Sequence, residues 1–428
     1  MLRHRAFVVF ALGLTAASVS TPAALRAAAS ERFPQLPSNP YCLRAACGYG
    51  RDGIDAPYPG GGLRGEAART MAAADSIFQS SNASLRSWVT SREMSGAPAN
   101  ANDIWGYVAP SGREYAIVGL LTGTAFVEVT DTSSPVVVGF IPGAASSWRD
   151  MAVYGEYAYS VNETHGGVQI IDLRRIDRGK VKLLGSFDGG GLRTAHNIAV
   201  NPDSGYAYLL GANIARGGLV ALDLSNPAAP QLEPVAWETA YVHDVIVVTY
   251  DRCPYRGREI AFAFTGSLGL HIVDVTDKAA PETLSHLRYE GATYSHSGAL
   301  SSNGRVLYLN DELDERASGG EKALTTYVIR VANPAKPRLI RQINPGTEAI
   351  DHNSMVQNGR LFISSYTGGL RILDLRNRTS PRAYGHFDTY PESDEAKFQG
   401  AWGVFADFPS GTVIVSDIAR GLFVIEPQ

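Results

Sequence analysis

Residues 196–230 read HNIAVNPDSGYAYLLGANIARGGLVALDLSNPAAP. Turns rich in Gly, Asn, Asp and Pro separate three apolar runs, at 198–200, 206–210 and 218–223. Short aliphatic and aromatic runs between such turns predict antiparallel strands, and a fourth, more polar strand is expected after the proline-marked turn. Asp223 ends the third strand. We expect its carboxylate to accept hydrogen bonds from backbone N–H groups of the turn that follows.

The same order of strands and turns recurs along the chain. The polar residues that open the repeats are Asn102, Arg149, His196, His243, His296, His352 and Gln399, at intervals of 47, 47, 47, 53, 56 and 47 residues. Third strands such as 270–274 (LHIVD) and 370–374 (LRILD) are almost continuously apolar, which predicts burial on both faces. The sequence therefore predicts an all-β fold, a seven-bladed β-propeller of four-stranded antiparallel blades.

The seventh repeat ends after its third strand, at the last residues of the sequence. A ring with an unpaired strand edge is prone to aggregation, so another segment is expected to cover that edge. Residues 85–90 (LRSWVT) precede the first repeat and have strand character. We predict that this N-terminal strand completes the last blade and closes the ring.

The first residues have the features of an export signal. Arg3, His4 and Arg5 precede an apolar stretch at 6–20, and small residues follow at 27–29. This pattern predicts a signal peptide at 1–29 with cleavage near Ala29, and an uncleaved membrane anchor is the alternative. The mature protein is expected to be secreted or periplasmic, with no anchor and no membrane span. Residues 30–83 are predicted to form a loop-rich extension, and residues 84–428 the propeller.

Composition limits the cofactors and partners. The chain has 428 residues and a formal net charge of −4, too small to indicate a nucleic-acid partner. No nucleophile elbow, zinc-protease helix motif or phosphate loop occurs, and no cofactor is predicted. An oxidising compartment permits a Cys42–Cys47 disulfide, which leaves the pairing of Cys253 open.

Polar residues at the starts of the innermost strands are predicted to ring one mouth of the central channel. They are Arg149, Asp150, His196, His243, Asp244, His296 and His352. The four histidines are candidate ligands for a transition metal. The alternative is structural, with each histidine bonding an Asp or Asn of the next blade, from the set Asp150, Asn197, Asp244 and Asn353. We favour the structural interpretation, because four blades would spread the imidazoles along an arc too wide for one ion.

A second candidate site is the acidic loop of the fifth repeat. It contains Asp311, Glu312, Asp314 and Glu315, whose oxygens would suit calcium. The spacing is not that of an EF-hand loop, and a solvated loop is the favoured interpretation.

Three tryptophans near the channel mouth, Trp105, Trp148 and Trp402, would suit a carbohydrate or peptide ligand, or else pack in the core.

Several motifs together resemble the choice-of-anchor B family, which is built from LVIVD-type repeats. They are 103–107 (DIWGY), 113–119 (REYAIVG), 148–150 (WRD), 257–260 (GREI), 311–315 (DELDE), 350–353 (IDHN), 369–375 (GLRILDL), 400–404 (GAWGV) and 421–423 (GLF). The resemblance implies an exported propeller and carries no catalytic residues.

We therefore predict a monomeric, non-enzymatic binding protein for an extracellular protein, peptide or carbohydrate. The alternative is a metal-dependent hydrolase or lyase with its site at the channel mouth.

Overall fold

The computed structural model describes residues 54–73, 77–317 and 323–428. Seven antiparallel sheets follow one another along the chain, and the innermost strand of each lies beside the innermost strands of its two neighbours. The last sheet neighbours the first, so the ring is closed. The predicted seven-bladed propeller is confirmed. The predicted signal peptide, Cys42 and Cys47 lie outside the described residues, and Cys253 is an exposed free thiol.

Each blade contributes four strands, which follow one another from the channel outward. Blade 1 has Ala101–Val108, Glu114–Leu120, Gly123–Glu128 and Val136–Pro142; blade 2 has Arg149–Tyr154, Tyr157–Asn162, Val168–Arg175 and Lys180–Phe187; blade 3 has Asn197–Asn201, Tyr206–Leu210, Val220–Asp223 and Gln231–Leu232. Blade 4 has Asp244–Thr249, Glu259–Phe264, Leu270–Asp274 and Glu282–Leu287; blade 5 has Ser295–Leu300, Val306–Asp311, Thr326–Arg330 and Arg338–Ile343. Blade 6 has Ser354–Gln357, Arg360–Ser364, Leu370–Asp374 and Arg382–Phe387; blade 7 has Ala401–Phe405, Val413–Asp417, Gly421–Pro427 and Ala83–Val89.

The hydrophobic core lies between the blades. The second and third strands are buried along almost their whole length, as in Glu259–Phe264 and Leu270–Asp274, because both of their faces pack against neighbouring sheets. The outer strands, such as Glu282–Leu287, are largely exposed and more polar. This gradient explains why the apolar runs of the sequence are continuous in the middle of each repeat and broken at its end.

Acidic residues end several third strands and fix the turns after them. A carboxylate oxygen of Asp223 accepts a hydrogen bond from the Ser225 N–H at 2.7 Å, and Asp374 accepts one from the Arg376 N–H at 2.7 Å. Both carboxylates therefore bond the backbone two residues ahead, as the sequence predicted.

The N-terminal strand closes the ring. Ala83–Val89 pairs antiparallel with Gly421–Pro427, with Leu85 opposite Ile425 and Trp88 opposite Phe423. The prediction that a segment near 85–90 completes the last blade is confirmed. A capping box in which the Thr90 hydroxyl and the Glu93 carboxylate bond each other's backbone N–H begins the next helix, so the end of the strand is fixed.

Two short strands from the N-terminal region add to the outer edges of two blades. Leu63–Arg64 pairs with Ala83–Val89 of blade 7, and Ser80–Ser81 pairs with Arg382–Phe387 of blade 6. In the part of the chain that the structure describes, the helices are Gly65–Ala73, Ser91–Ser95 and Asp314–Ala317, with 3₁₀ turns at Ile176–Arg178, Gly189–Gly191 and Ala215–Gly217. Among the residues that the structure describes, no helix is long and apolar enough to cross a membrane.

Candidate functional site

Four histidines form a continuous row at one mouth of the channel. His196, His243, His296 and His352 stand at or just before the innermost strands of blades 3 to 6, and each is at most 5% exposed. Successive ring centroids are 4.2, 4.0 and 4.3 Å apart. Neighbouring rings therefore contact one another, but among the described residues only His296 and His352 of the row belong to a group of ligand atoms close enough for one ion. The four imidazoles together do not converge on one ion, as was expected from the sequence.

The Nδ1 nitrogens of two imidazoles form hydrogen bonds to backbone carbonyls of the next blade. Nδ1 of His243 lies 3.1 Å from the carbonyl oxygen of His296, and Nδ1 of His352 lies 2.5 Å from that of Trp402. A carbonyl only accepts, so each Nδ1 carries the proton and each Nε2 keeps a lone pair. Burial lowers the pKa of His243 and brings that of His352 to about 3, so both rings are neutral.

The Asp and Asn residues next to the histidines do not bond the imidazoles, in contrast to what the structural interpretation expected. Asp150 accepts from the Met151 and Ile198 N–H groups at 2.7 and 2.8 Å. Asp244 accepts from the Val245 N–H at 2.7 Å. The bond from Ile198 to Asp150 crosses from one blade to the next, and Asn197 donates to the carbonyl of His243 at 3.2 Å. Asn353 donates to the carboxylate of Asp103 at 3.0 Å, so blade-to-blade bonds exist but do not involve the imidazoles.

These aspartates form a layer of carboxyl groups around the channel together with Asp103. Burial raises the pKa of Asp103 to about 6 and that of Asp244 to about 7. Burial also raises the pKa of Asp150 well above its usual range, and the neighbouring charges of Asp103 and Asp244 raise it further. Three carboxyl groups around one channel cannot all ionise without repulsion.

The first histidine of the row differs from the others, because it has an acidic partner. Nδ1 of His196 lies 2.7 Å from Oε1 of Glu163, which directly follows the second strand of blade 2. Burial by itself lowers the pKa of His196, but Glu163, together with the charges of Glu312 and Asp244, raises that pKa above its usual value. Arg149 is 1% exposed, and its guanidinium donates to the carbonyls of Leu120 and Ala144, so it joins the first two blades.

The acidic loop of blade 5 is buried. Asp311, Glu312, Asp314 and Glu315 are at most 5% exposed, so the favoured interpretation of a solvated loop is wrong. The physical reason is that protein groups replace water. Asp311 accepts from the Tyr289 hydroxyl at 2.6 Å, Asp314 from the Tyr327 hydroxyl at 2.6 Å, and Glu315 from the Thr325 N–H at 2.9 Å. Three of the four carboxylates thus accept hydrogen bonds from residues outside the acidic stretch 311–315.

Glu312 instead faces the histidine row. Its Oε2 lies 3.7 Å from Nε2 of His296, and its Oε1 lies 3.6 Å from Nε2 of His352. The Tyr366 hydroxyl donates to Oε1 at 2.6 Å and holds the carboxylate in place. The three ligand atoms all lie within 4.8 Å of one another. Burial raises the pKa of Glu312 to about 7 and lowers that of His296.

These separations suit ligands of one metal ion. A distance of 3.6–3.7 Å is too long for a hydrogen bond between nitrogen and oxygen. Two ligands at about 2.0–2.1 Å from a tetrahedral zinc ion lie about 3.4 Å apart. His296, Glu312 and His352 therefore have the spacing and the donor atoms of a metal site.

The cavity at this mouth is small. Its volume is about 20 Å³, which is room for one water molecule or one ion. Trp148 and Trp402 line it, as predicted for the channel mouth, whereas Trp105 packs against Phe405 in the core with ring centroids 5.5 Å apart. A sugar ring or a peptide side chain does not fit in this space.

Sequence reasoning did not single out Glu163 and named Glu312 only as part of the acidic loop, although a signal that both face the row existed. Glu163 and Glu312 each follow the last residue of a second strand directly, in blades 2 and 5. None of the other five blades has an acidic residue at that position. Because this position is the start of the loop next to the channel mouth, an acid there reaches the histidines.

The repeats match a known sequence pattern. The model of the LVIVD repeat matches residues 145–173 and 193–234, in blades 2 and 3. The chain carries LVIVD repeats. A β-propeller of such repeats is a scaffold of the interaction or binding type. None of the curated proteins compared with the chain matches it in sequence.

Solved structures share the propeller fold at low sequence identity. A Lactobacillus plantarum protein is 14% identical with a TM-score of 0.52, and the match covers 69% of this chain and 85% of that one. The β-propeller domain of Cps50 (Swd1) from Myceliophteria thermophila is 12% identical with a TM-score of 0.51, covering 77% and 97%. Hydrazine synthase of Kuenenia stuttgartiensis is 14% identical with a TM-score of 0.51, covering 75% and 94%. Such identities show a common fold alone.

Proposed function

We propose that this chain is an exported binding protein of the choice-of-anchor B type whose channel mouth binds one divalent transition-metal ion. The observation that carries the proposal is the mutual spacing of His296, Glu312 and His352, whose ligand atoms lie within 4.8 Å of one another in a cavity the size of one ion. Imidazole nitrogens with a carboxylate oxygen suit zinc and its neighbours in the first transition series.

The surrounding groups support metal binding because they orient the ligands. The Trp402 carbonyl accepts a hydrogen bond from Nδ1–H of His352, which leaves the lone pair of Nε2 free to bind a metal ion. The Tyr366 hydroxyl fixes Oε1 of Glu312, so the carboxylate faces the two imidazoles. Hydrogen bonds of this kind to the far side of a ligand are usual around protein-bound zinc. A bound cation would also favour the charged form of Glu312, which burial alone disfavours.

A metal-dependent hydrolase or lyase is the second candidate function. Two histidines and one carboxylate leave a fourth coordination position open, as catalytic zinc sites do. Against this, the cavity of about 20 Å³ holds the ion and no organic substrate beside it. We therefore favour a binding function, in which the ion links blades 5 and 6 because each blade supplies at least one ligand.

The test is a zinc titration of the full mature protein after dialysis against a chelator. Wild-type protein is expected to bind one zinc ion per chain by calorimetry, and the bound ion to raise the melting temperature. Glu312→Gln and His352→Ala are expected to weaken binding at least tenfold. Glu163→Gln is the matched control, because it alters the equivalent position of blade 2, which touches His196 and none of the three ligands.

Two outcomes would contradict the proposal. One is the absence of stoichiometric zinc binding by wild-type protein whose circular dichroism shows it to be folded. The other is an equal loss of affinity in Glu163→Gln and Glu312→Gln. Hydrolysis of a model ester by the zinc-loaded protein, lost in Glu312→Gln, would instead favour the enzyme. N-terminal sequencing of protein exported from the producing cell tests the localisation, and a chain that still begins at Met1 would contradict the signal peptide.

A further inference from the structure

A large cleft lies between the outer strands of blades 1 and 2, and it shares no residue with the channel mouth. Its volume is about 890 Å³, and Val138–Phe140 form one wall. The other wall is the end of the third strand of blade 2, then Arg178 and Gly179 of the turn that follows, and the start of the outer strand Lys180–Phe187. Gly139 makes the close approach possible, because a Cβ there would lie 2.4 Å from Cγ2 of Val181.

The cleft is strongly basic in a protein of net negative charge. Five exposed cations line it: Arg174, Arg175, Arg178, Lys180 and Lys182. The only acidic residue of the lining, Asp172, is already paired with Arg174 at 2.6 Å. None of the other four cations has a carboxylate within 4.0 Å in the part of the chain that the structure describes. Two of the six lysines of the whole chain lie here, so the charge is concentrated at this cleft.

The same cleft is bordered by an open strand edge. Lys180–Phe187 is the outermost strand of blade 2 and the longest outer strand of the ring, and no described strand pairs with its outer side. An edge of this kind accepts a further strand through main-chain hydrogen bonds. The protein already uses this mode elsewhere, because Leu63–Arg64 and Ser80–Ser81 cover the edges of blades 7 and 6.

Exposed apolar side chains accompany the charges. Leu183 and Leu184 on the outer strand of blade 2 are 39% and 38% exposed, and Val136 on the outer strand of blade 1 is 54% exposed. A ligand that satisfies the edge, the cations and these side chains together is an extended peptide with acidic and apolar residues in alternation. A sulfated or acidic polysaccharide would neutralise the cations but has no N–H groups in the register of a strand.

We infer that the basic cleft between blades 1 and 2 binds an extended acidic segment of a partner protein, which pairs with the edge of Lys180–Phe187. The carboxylates of the segment meet Arg175, Arg178, Lys180 and Lys182. This inference is independent of metal binding at the channel mouth.

The probe is a fluorescein-labelled octapeptide of alternating glutamate and valine, and its binding to the full mature protein is measured by fluorescence anisotropy. Saturable binding is expected, weakening steadily as salt rises. The double variant Lys180→Glu/Lys182→Glu is expected to lower the affinity at least tenfold. Arg338→Glu/Arg341→Glu, which makes the same charge change on the outer strand of blade 5, is expected to change it less than twofold.

A second peptide in which proline replaces valine carries the same charge but lacks the four valine N–H groups, and proline fixes φ near −65° at those positions, so it is expected to bind at least tenfold more weakly. Equal binding of the two peptides would overturn the inference, since charge alone would then explain both. Unchanged affinity in Lys180→Glu/Lys182→Glu would also overturn it. Heparin that binds at these lysines while neither peptide does would overturn it in favour of a polysaccharide. The neutral variant Lys180→Gln/Lys182→Gln, with an intermediate affinity expected, covers the case in which the charge reversal prevents folding.

Discussion

Trp88 is the residue whose replacement tests the closure of the ring most directly. Its side chain is 4% exposed, its ring stacks on Phe423 with centroids 5.6 Å apart, and it meets Phe78 edge to face at 5.7 Å. Its indole Nε1–H donates to the carbonyl of Arg420 at 2.7 Å. The side chain therefore contributes packing and one hydrogen bond to the contact between the N-terminal strand and the last blade.

The expected losses follow from these two contributions. Trp88→Ala removes both and is expected to lower the free energy of unfolding by about 3–5 kcal/mol. Trp88→Phe keeps most of the ring packing but leaves the Arg420 carbonyl without its donor, which costs about 1–2 kcal/mol. Val136→Ala is the control, because a side chain that is 54% exposed is expected to change stability by less than about 0.5 kcal/mol.

Urea unfolding followed by far-ultraviolet circular dichroism measures all three variants without relying on tryptophan fluorescence. Amide exchange of Gly421–Pro427 should accelerate in Trp88→Ala, because that strand loses its partner first. The reasoning would be refuted by a cost below about 1 kcal/mol for Trp88→Ala, or by equal costs for the alanine and phenylalanine variants.

Three further predictions concern the interior. Asp244→Asn should stabilise the protein by about 2 kcal/mol at pH 8 and not at pH 4. The reason is that the pKa of the carboxyl group is raised from 3.8 to about 7, so the native state loses stability as the pH rises between these two values. The figure of about 2 kcal/mol is roughly half of three pH units at 1.36 kcal/mol each, because the side chain keeps some contact with water. Lys278→Met should lower the free energy of unfolding by about 3–5 kcal/mol, because it removes the cation that lies 2.6 Å from the buried Glu259 carboxylate. Arg376→Ala, which breaks an ion pair at the surface, should lower it by less than about 1 kcal/mol in the same urea assay. His243→Ala should lower stability by about 1–3 kcal/mol with or without chelator, and a loss seen only with zinc present would contradict its assignment as a blade-joining residue.

The fold was predictable because each blade repeats the same pattern of apolar strands, turns and polar positions in the sequence. Apolar third strands, acid-capped turns and polar first positions recur at near-constant intervals, and the incomplete last repeat pointed to a strand from elsewhere. The strands Leu63–Arg64 and Ser80–Ser81 were missed, because two residues are too few to show a period of two.

The candidate site was only partly predictable. The four histidines lie at one channel mouth as their repeat positions predicted, but the contact between their rings depends on side-chain directions that spacing does not specify. Glu312 was assigned to a solvated loop because its neighbours are acidic. Its true position depends on Tyr289 and Tyr327, whose hydroxyls bury the adjacent carboxylates and turn the loop inward. Such distant donors leave no periodic signal in the sequence.

The strand at Ala83–Val89 also determines the order in which the molecule can be assembled. Trp88 and its acceptor on Arg420 are 332 positions apart, so almost the whole chain must be synthesised before the two can meet. Blades 1 to 6 can each form their four strands from neighbouring sequence, whereas Ala83–Val89 has no partner strand until the three C-terminal strands of blade 7 are synthesised. Contacts between such distant residues are slow to form. A circularly permuted chain that begins between two other blades would make this seventh blade local, and it should therefore complete its ring sooner than the natural one.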